Sequence, residues 1–339
     1  MDEPTLDKFP KKVLANIGIE RAFIASRLII AAERLQVFRL LQGKRMKAEA
    51  IGRTLKIHRL YLKVFLNSLF TLGLLRKAND IYWNTRLAEK YFIHERSIYW
   101  TRQYSKECVQ AYETLTVLEK TLATGRRFKS TKGQLNLSYT EAMKRDQRRA
   151  EDFTQMLFHF HREDAEELAN YLDLSKRRAV LDVGGGSGVM SIALAKKNPR
   201  LRACIMDIAP VCRIAAGNIH RAGLSKRVAT LPGDIRRRLP AGYDVVMFCD
   251  IGPVSKQALE NAHRSLPENG LIVLTDRYLN KEGTQPLDRL VGQFVASSLA
   301  PTTWSDMVEV VKSCGFKAVK ARNAYSDVWV VTGIKPGRE

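Results

Sequence analysis

The run Val180-Leu181-Asp182-Val183-Gly184-Gly185-Gly186-Ser187-Gly188-Val189 carries an apolar strand into an acid, turns through glycines and opens a helix. Glycine lets a backbone take positive φ in a tight turn and approach a ligand with no side chain in the way. A dinucleotide-binding turn reads G-x-G-x-x-G/A, its third small residue allowing the helix to pack close beneath a pyrophosphate. Counted from Gly184, that third place falls on Val189. The spacing is instead Asp182-x-Gly184-x-Gly186-x-Gly188, with an acid placed to face a ligand ammonium. S-adenosylmethionine has an ammonium and no phosphate, so the departure favours it as cofactor over a nicotinamide dinucleotide.

Two further acids support that choice. In Cys204-Ile205-Met206-Asp207-Ile208-Ala209-Pro210, Asp207 closes the next apolar run. A carboxylate there can accept two hydrogen bonds from a ribose diol, the role of an acid about 20 residues beyond the glycines in nucleotide folds. Taken alone, Asp207 also reads as a turn residue ahead of Pro210. In Pro232-Gly233-Asp234-Ile235 a third acid can accept from an adenine amine, although Gly-Asp pairs usually make turns. Three acids at three successive strand ends point to one crevice, and the conjunction is stronger than any member.

From Arg178 onward short apolar strands alternate with helices. The pattern predicts strands at Ala179–Val183, Ala203–Met206, Val228–Leu231, Val245–Cys249, Leu271–Thr275, Ala318–Arg322 and Val328–Thr332, with helices starting near Ser187, Val211, Ser255 and Thr303. Such alternation implies an α/β, mainly parallel, doubly wound sheet that binds ligand at the C-terminal strand ends.

The first part of the chain has a different grammar. Ala22–Leu41 is apolar on most faces, Ala48–Leu55 is a short helix and His58–Leu72 a third, followed by two strands about an Asn79-Asp80 turn. Three helices and a β wing make a winged-helix-like unit. A DNA-reading third helix needs a polar face for the major groove. Here that helix carries Leu60, Tyr61, Leu62, Val64, Phe65, Leu66, Leu69 and Phe70, leaving His58, Arg59, Lys63 and Asn67 as its polar remainder. A helix apolar nearly all round belongs inside something, here a second subunit rather than nucleic acid. The expected organisation is a dimerisation domain over 1–95, a helical connector walling the substrate cavity over 96–173 and a cofactor-binding domain over 174–339.

The formal charge of +21 is lopsided, with 30 Lys/Arg against 14 Asp/Glu in residues 1–150 and 26 against 21 in the rest. Such a basic half suits nucleic acid, an anionic surface or an acidic partner, and equally a solvated surface with no partner. The apolar stretch Ala22–Phe38 is broken by Arg27, Glu33 and Arg34, so no membrane span is expected, and the acidic start without an apolar core argues for a cytoplasmic protein. Cys108, Cys204, Cys212, Cys249 and Cys314 are scattered without a CxxC pair, which suggests neither a disulfide frame nor a metal site.

On these residues the chain resembles the class I methyltransferases of the two-domain O-methyltransferase type, which includes plant phenolic, hydroxyindole, carotenoid and polyketide enzymes. The likeness rests on Ala25–Ala32 and Leu69–Arg76, which look like that family's dimerisation domain, and on DVGGGSG, IMDIAP, PGDI and Thr303–Phe316. It implies a Rossmann-like seven-stranded methyltransferase sheet behind an N-terminal, helical, winged-helix-like dimerisation domain, and a homodimer. It also implies that Gly184 contacts the cofactor, Asp207 the ribose and Asp234 with Ile235 the adenine, that Cys249 lines the methionine end, and that Asp182, Gly186 and Ile208 complete the set.

Members that methylate hydroxyls carry a His-Asp-Trp run after the fourth strand, its histidine removing the substrate proton. Here the segment is Phe248-Cys249-Asp250-Ile251-Gly252-Pro253-Val254-Ser255, with Pro253 at the histidine's place. The catalytic base is therefore open: another group, an already ionised oxygen, or carbon methylation as in the bacteriochlorophyll C-20 enzymes, which the chain also resembles. His159 and His161 are replacement candidates, because an imidazole suits proton removal near neutrality. Phe153, Met156 and Phe160, at i, i+3 and i+7, form a stripe that reads as cavity wall or as core. With Phe294 they suggest a flat, greasy acceptor, whereas Arg277 suits a carboxylate on it. A non-catalytic S-adenosylmethionine sensor or a nucleic-acid-binding protein is the alternative from another class.

Overall fold

The computed structural model describes residues 22–93, 109, 111–124, 139–252, 254–295, 302–325 and 327–337, and the chain divides into two units, Met1–Cys108 and Val109–Glu339. In the first, α1 (Ala22–Arg34), α2 (Val37–Leu40), β1 (Met46–Lys47), α3 (Ala48–Leu55), α4 (Arg59–Thr71), β2 (Leu75–Ala78), β3 (Ile81–Asn84) and α5 (Arg86–Phe92) follow in order. The single helix expected over 22–41 is broken. Gln36 sits at φ 62 and donates its side-chain amide to the Glu33 carbonyl at 2.9 Å, which turns Val37, Phe38 and Leu41 into the core. Asn79, at φ 54, makes the hairpin turn, and the three strands pair in the order β1-β3-β2. Helix α4 buries Leu62, Leu66 and Leu69 on one face and leaves Leu60, Tyr61 and Val64 exposed on the other.

In the second unit α6 (Leu118–Thr124), α7 (Tyr139–Arg145), α8 (Gln147–Phe160) and α9 (Arg162–Tyr171) precede a sheet built from β4 (Ala179–Val183), β5 (Arg202–Asp207), β6 (Val228–Pro232), β7 (Val245–Cys249), β8 (Leu271–Asp276), β9 (Lys317–Tyr325) and β10 (Val328–Ile334). Between the strands lie α10 (Val189–Lys197), α11 (Ala209–Arg221), α12 (Lys256–Ser265), α13 (Leu287–Val295) and α14 (Trp304–Ser313). The strand order is β6-β5-β4-β7-β8-β10-β9, parallel except where β10 runs against β8 and β9. The chain winds outward from β4 in both directions. That reversal opens a crevice at the carboxyl ends of β4 and β7, the place where open α/β sheets bind ligands.

The pleat explains why the sheet is buried on both faces. Val245, Met247 and Cys249 of β7 pack in one core cluster with α9, α10 and α11, while Val246 and Phe248 pack in the other with α12 and α14. Helix starts are capped where needed: Ser255 accepts from the Ala258 N–H, and Thr303 and Asp306 form a reciprocal capping box. Cys204, Cys212, Cys249 and Cys314 are buried and free, and Cys108 lies outside the described residues. No helix among the described residues is long and apolar enough to cross a membrane.

Candidate functional site

The glycine turn is held from below and from the side. Gly184 and Gly186 adopt φ 70 and φ 53, which an L side chain rarely tolerates. The Gly184 N–H donates to the Met206 carbonyl at 2.7 Å, and the Gly186 N–H donates to Oδ2 of Asp207 at 2.9 Å. The other oxygen of Asp207 accepts from the Ile208 N–H at 2.7 Å. Burial raises the Asp207 pKa, and these two backbone donors oppose the rise. Of the three expected acids, Asp207 is thus the one hydrogen-bonded to the glycine turn.

Asp182 does not face the crevice as the spacing suggested. It is 0% exposed, and a Cβ on Gly185 would stand 2.5 Å from its Cγ, so the turn lies directly on its carboxyl group. Burial pushes its pKa up to about 7, opposed by the Ser191 hydroxyl, which donates to Oδ2 at 2.7 Å, and reinforced by the charge of Asp207. Its Oδ1 is buried without a hydrogen-bond partner. Asp234 is also engaged. Arg236 donates through Nε to Oδ1 at 2.9 Å and through Nη2 to Oδ2 at 2.6 Å, holding this carboxyl well below the usual carboxylate range. The expected adenine acceptor is therefore an exposed ion pair, of a kind worth little in water and able to exchange partners.

A cavity of about 790 Å³ opens at the ends of β5 and β6, where Met206, Ile208, Leu231 and Leu239 meet Asp234 and the basic side chains of Lys144, Arg237 and Arg238. Pockets of this order accommodate small molecules of nucleoside size. The cavity offers an adenosyl group the apolar side chains of Met206, Leu231 and Leu239 beside the basic Lys144, Arg237 and Arg238. Asp207 stands in sequence between the lining residues Met206 and Ile208, and at Gly186 only the Gly184 carbonyl, at 3.9 Å, comes near a would-be Cβ. Ile235 is half-buried against the second core cluster. Cys249 ends β7 almost fully buried, its thiol pushed up by burial and by the charge of Asp182.

The residues expected around an acceptor are not gathered as one stripe. Met156 is core, Phe153 is half-buried and Phe160 is 45% exposed, so the i, i+3, i+7 reading divides between core and surface. The Phe294 side chain and Pro253 lie outside the described residues. Arg277 is corrected more sharply. Its Nε donates to Asp327 and its Nη1 to Asp288, each at 2.6 Å, so the guanidinium expected to hold a substrate carboxylate is filled by the chain's own acids. His159 stacks edge-on with Phe158, their ring centroids 5.6 Å apart.

His161 meets a carboxylate at each of its ring nitrogens. Its Nδ1 lies 3.0 Å from Oδ2 of Asp164 and its Nε2 2.9 Å from Oδ2 of Asp250. Burial alone lowers its pKa, but the hydrogen bonds and charges of Asp164 and Asp250 prevail and raise it to about 9. Asp250 takes φ 49 directly beyond Cys249, and its N–H donates to the Thr275 carbonyl at 2.9 Å. Next to it, buried Asp276 pairs with Arg289. Sequence reasoning passed over Asp164, Asp250, Asp276 and Arg289. The strand-end rule that picked out Asp207 and Asp234 would have found Asp250 and Asp276, at the ends of β7 and β8, had it been carried across the whole sheet.

Residues 115–316 match the family model of the O-methyltransferase domain. The L-tyrosine C(3)-methyltransferase of Streptomyces lavendulae is 29% identical over 265 residues, spanning 66% of this chain and 72% of that protein. The 3-hydroxy-5-methyl-1-naphthoate 3-O-methyltransferase of Streptomyces sahachiroi is 27% identical over 78% of this chain and 76% of that one. Human N-acetylserotonin methyltransferase, crystallised in complex with SAM, has the same fold, with a TM-score of 0.80 at 18% identity over 99% of both chains.

Proposed function

Because the chain belongs to the O-methyltransferase domain family, we propose that its crevice serves methyl transfer to a small aromatic or polyketide-like molecule, on oxygen in the first reading. The protein is an S-adenosylmethionine-dependent methyltransferase. When bound, S-adenosylmethionine supplies an electrophilic methyl group on a sulfonium. Asp207 would hold the ribose, Ile208 and Ile235 the adenine face, and Gly184 and Gly186 the open backbone beside the amino-acid portion. Asp182, beneath the turn, would contribute a negative charge below the ammonium instead of a direct contact, and Cys249 would close the far end. The chain's contribution is alignment, since holding two reactants in attack geometry lowers a barrier by roughly 7–11 kcal/mol.

The observation that carries this reading is the Gly186–Asp207 bond, which joins the turn after β4 to the end of β5, next to a cavity at the carboxyl ends of β5 and β6. Carbon methylation is the second reading, supported by Pro253 at the usual base position and by the name of the tyrosine C(3) relative. For the first unit we propose a winged-helix-like dimerisation domain, supported by the exposed apolar face of α4. Calorimetry with S-adenosylhomocysteine tests the donor site, and transfer of labelled methyl from S-adenosylmethionine to hydroxynaphthoates and to L-tyrosine tests the activity. Uptake of the nucleoside with label on one of these acceptors is the expected result. Well-folded protein that takes up neither S-adenosylmethionine nor S-adenosylhomocysteine would remove the proposal.

A further inference from the structure

His161 stands where helix α8 ends and α9 begins, and both of its ring nitrogens face carboxylates, Asp164 at 3.0 Å and Asp250 at 2.9 Å. A neutral imidazole has one N–H and one lone pair, so it would set a lone pair against one of these oxygens; only the imidazolium donates to both. The ring therefore has no lone pair to offer a substrate and is not the base in this state. What it does is fix Asp250. The histidine side chain is 14% exposed, whereas Asp164 is 33% and Asp250 39% exposed, so the charged bridge is covered in its middle and open at both ends. Other groups facing the bridge are Glu167 on α9, Cys249 on β7, Asp276 on β8 and Tyr325 on β9, and the nearby cations Arg289 and Arg277 are held by Asp276 and by Asp288 and Asp327.

We propose that Asp250, positioned by His161, receives the acceptor's proton at this site, filling the place that Pro253 leaves without a base; the proposal rests on the methyltransferase reading above. Asp250 directly follows Cys249 at the carboxyl end of β7, and no partner for its Oδ1 is found among the described residues. The balance is one bond for another. The acceptor's heteroatom forms a bond to the methyl carbon with its own electron pair, the sulfur–methyl pair returns to sulfur, and the heteroatom's proton passes to the Asp250 carboxylate. From Asp250, whose side chain is 39% exposed, the proton passes to solvent, while His161 keeps both of its ring protons and goes on donating to Asp164 and Asp250. A carboxylate suffices because an O–H or N–H becomes strongly acidic while its heteroatom is gaining a bond to carbon. General-base assistance of this kind is worth about 10²–10⁴-fold in rate.

The test works with a model phenol in place of the natural acceptor. Para-nitrophenol is added to protein saturated with S-adenosylhomocysteine, and the ionisation of the bound phenol is read from its visible absorbance. A carboxylate poised at the acceptor position favours the neutral O–H, so the bound phenol should ionise at higher pH, by about tenfold in proton affinity, and Asp250→Asn should abolish that displacement while leaving S-adenosylhomocysteine affinity unchanged. Imidazole ¹⁵N spectra should show His161 doubly protonated up to about pH 9 and titrating at lower pH in Asp250→Asn. His161→Gln should keep only part of the phenol displacement. Absence of phenol uptake, an undisplaced ionisation, or a displacement that survives Asp250→Asn overturns the proposal. Failure to bind S-adenosylhomocysteine at all would instead remove the donor-site reading.

Discussion

The backbone N–H of Gly186 donates to Oδ2 of Asp207 at 2.9 Å, joining the turn after the first sheet strand to the acid that ends the second. A hydrogen bond to an ionised group contributes roughly 1.5–3 kcal/mol, and this one also fixes the carboxylate presented to a ribose. Asp207→Ala should therefore weaken S-adenosylhomocysteine binding by about 100-fold, some 2.7 kcal/mol. Asp207→Asn should rescue little, since its amide NH₂ would oppose one of the two backbone donors. Calorimetry decides; an unchanged Kd in both variants would show that Asp207 serves only the turn.

Neighbouring glycines should fail in different ways. At Gly185 an added Cβ would stand 2.5 Å from the Cγ of fully buried Asp182, which has nowhere to retreat, so Gly185→Ala should cost the fold about 1–3 kcal/mol as overpacking does. At Gly186 nothing lies closer than 3.9 Å, and only the left-handed φ of 53 opposes a side chain. Gly186→Ala should cost the fold about 1 kcal/mol through the left-handed φ alone, less than Gly185→Ala, and act mainly on donor affinity. Thermal melts and calorimetry on the two variants would contradict this if their order were reversed.

How far the residues alone foretold this site follows from what each signal depends on. The sheet was readable because its strands are buried on both faces and appear as apolar runs, so Ala179–Val183 and Val245–Cys249 fall where the pattern put them. Asp207 was readable because a strand end fixes its direction. Side-chain pairing between distant segments leaves no such trace. Nothing near Arg277 in sequence announces Asp327, fifty residues on, and nothing near His161 announces Asp250, so the carboxylate receptor expected at Arg277 and the histidine base expected at 159 or 161 both turned on contacts that only folding creates. The break at Gln36 was hidden for a local reason, since glutamine is an ordinary helix residue and its left-handed turn follows from burying Phe38.

Asp182 should make donor binding release protons. Burial raises its pKa to about 7, so near neutrality it is partly protonated, and an ammonium arriving above the turn favours the ionised form. Titrating S-adenosylhomocysteine at pH 6.5 in two buffers of different ionisation enthalpy should reveal protons leaving, with the effect fading at pH 9. For stability the sign is that of a raised acid: the favourable contribution is complete below the unfolded pKa of 3.8 and is lost as pH rises through about 7. Asp182→Asn should then be at least as stable as wild type at pH 8, still accept from Ser191, and release no protons on binding. Equal proton release from the variant would exclude Asp182 as the source.

His161 gives a stability window of its own. Its pKa is raised from 6.5 to about 9, so the bridge to Asp164 and Asp250 stabilises the fold fully below pH 6.5 and is lost as pH rises through about 9. The ceiling on the contribution is about 3 kcal/mol, and the partly exposed carboxylates reduce it through solvent screening. His161→Gln should lower the melting temperature at pH 6 and converge on wild type at pH 10. A gap between the two proteins that stays constant across that range would mean the ring acts by packing and not by charge.

The exposed side of α4 makes the most direct claim about assembly. Leu60, Tyr61 and Val64 are 66%, 65% and 65% exposed, although Leu62, Leu66 and Leu69 on the opposite side already fill the core. Residues four apart, such as Leu60 and Val64, share a helix face, and with Tyr61 beside them they form one apolar surface, while the ion pair of Lys63 to Asp80, at 3.3 Å, ties the neighbouring cation to the hairpin. A DNA-reading helix would present polar groups at those positions. If that face joins two copies, Val64→Glu combined with Leu60→Lys should convert a dimer to a monomer in sedimentation equilibrium, because it buries two charges where apolar side chains met. The core residues behind the face are untouched, so the melting transition of the second unit should remain. A wild-type chain that sediments as a monomer at all accessible concentrations, or a double variant that still dimerises, would place the dimer contact elsewhere or dispense with it.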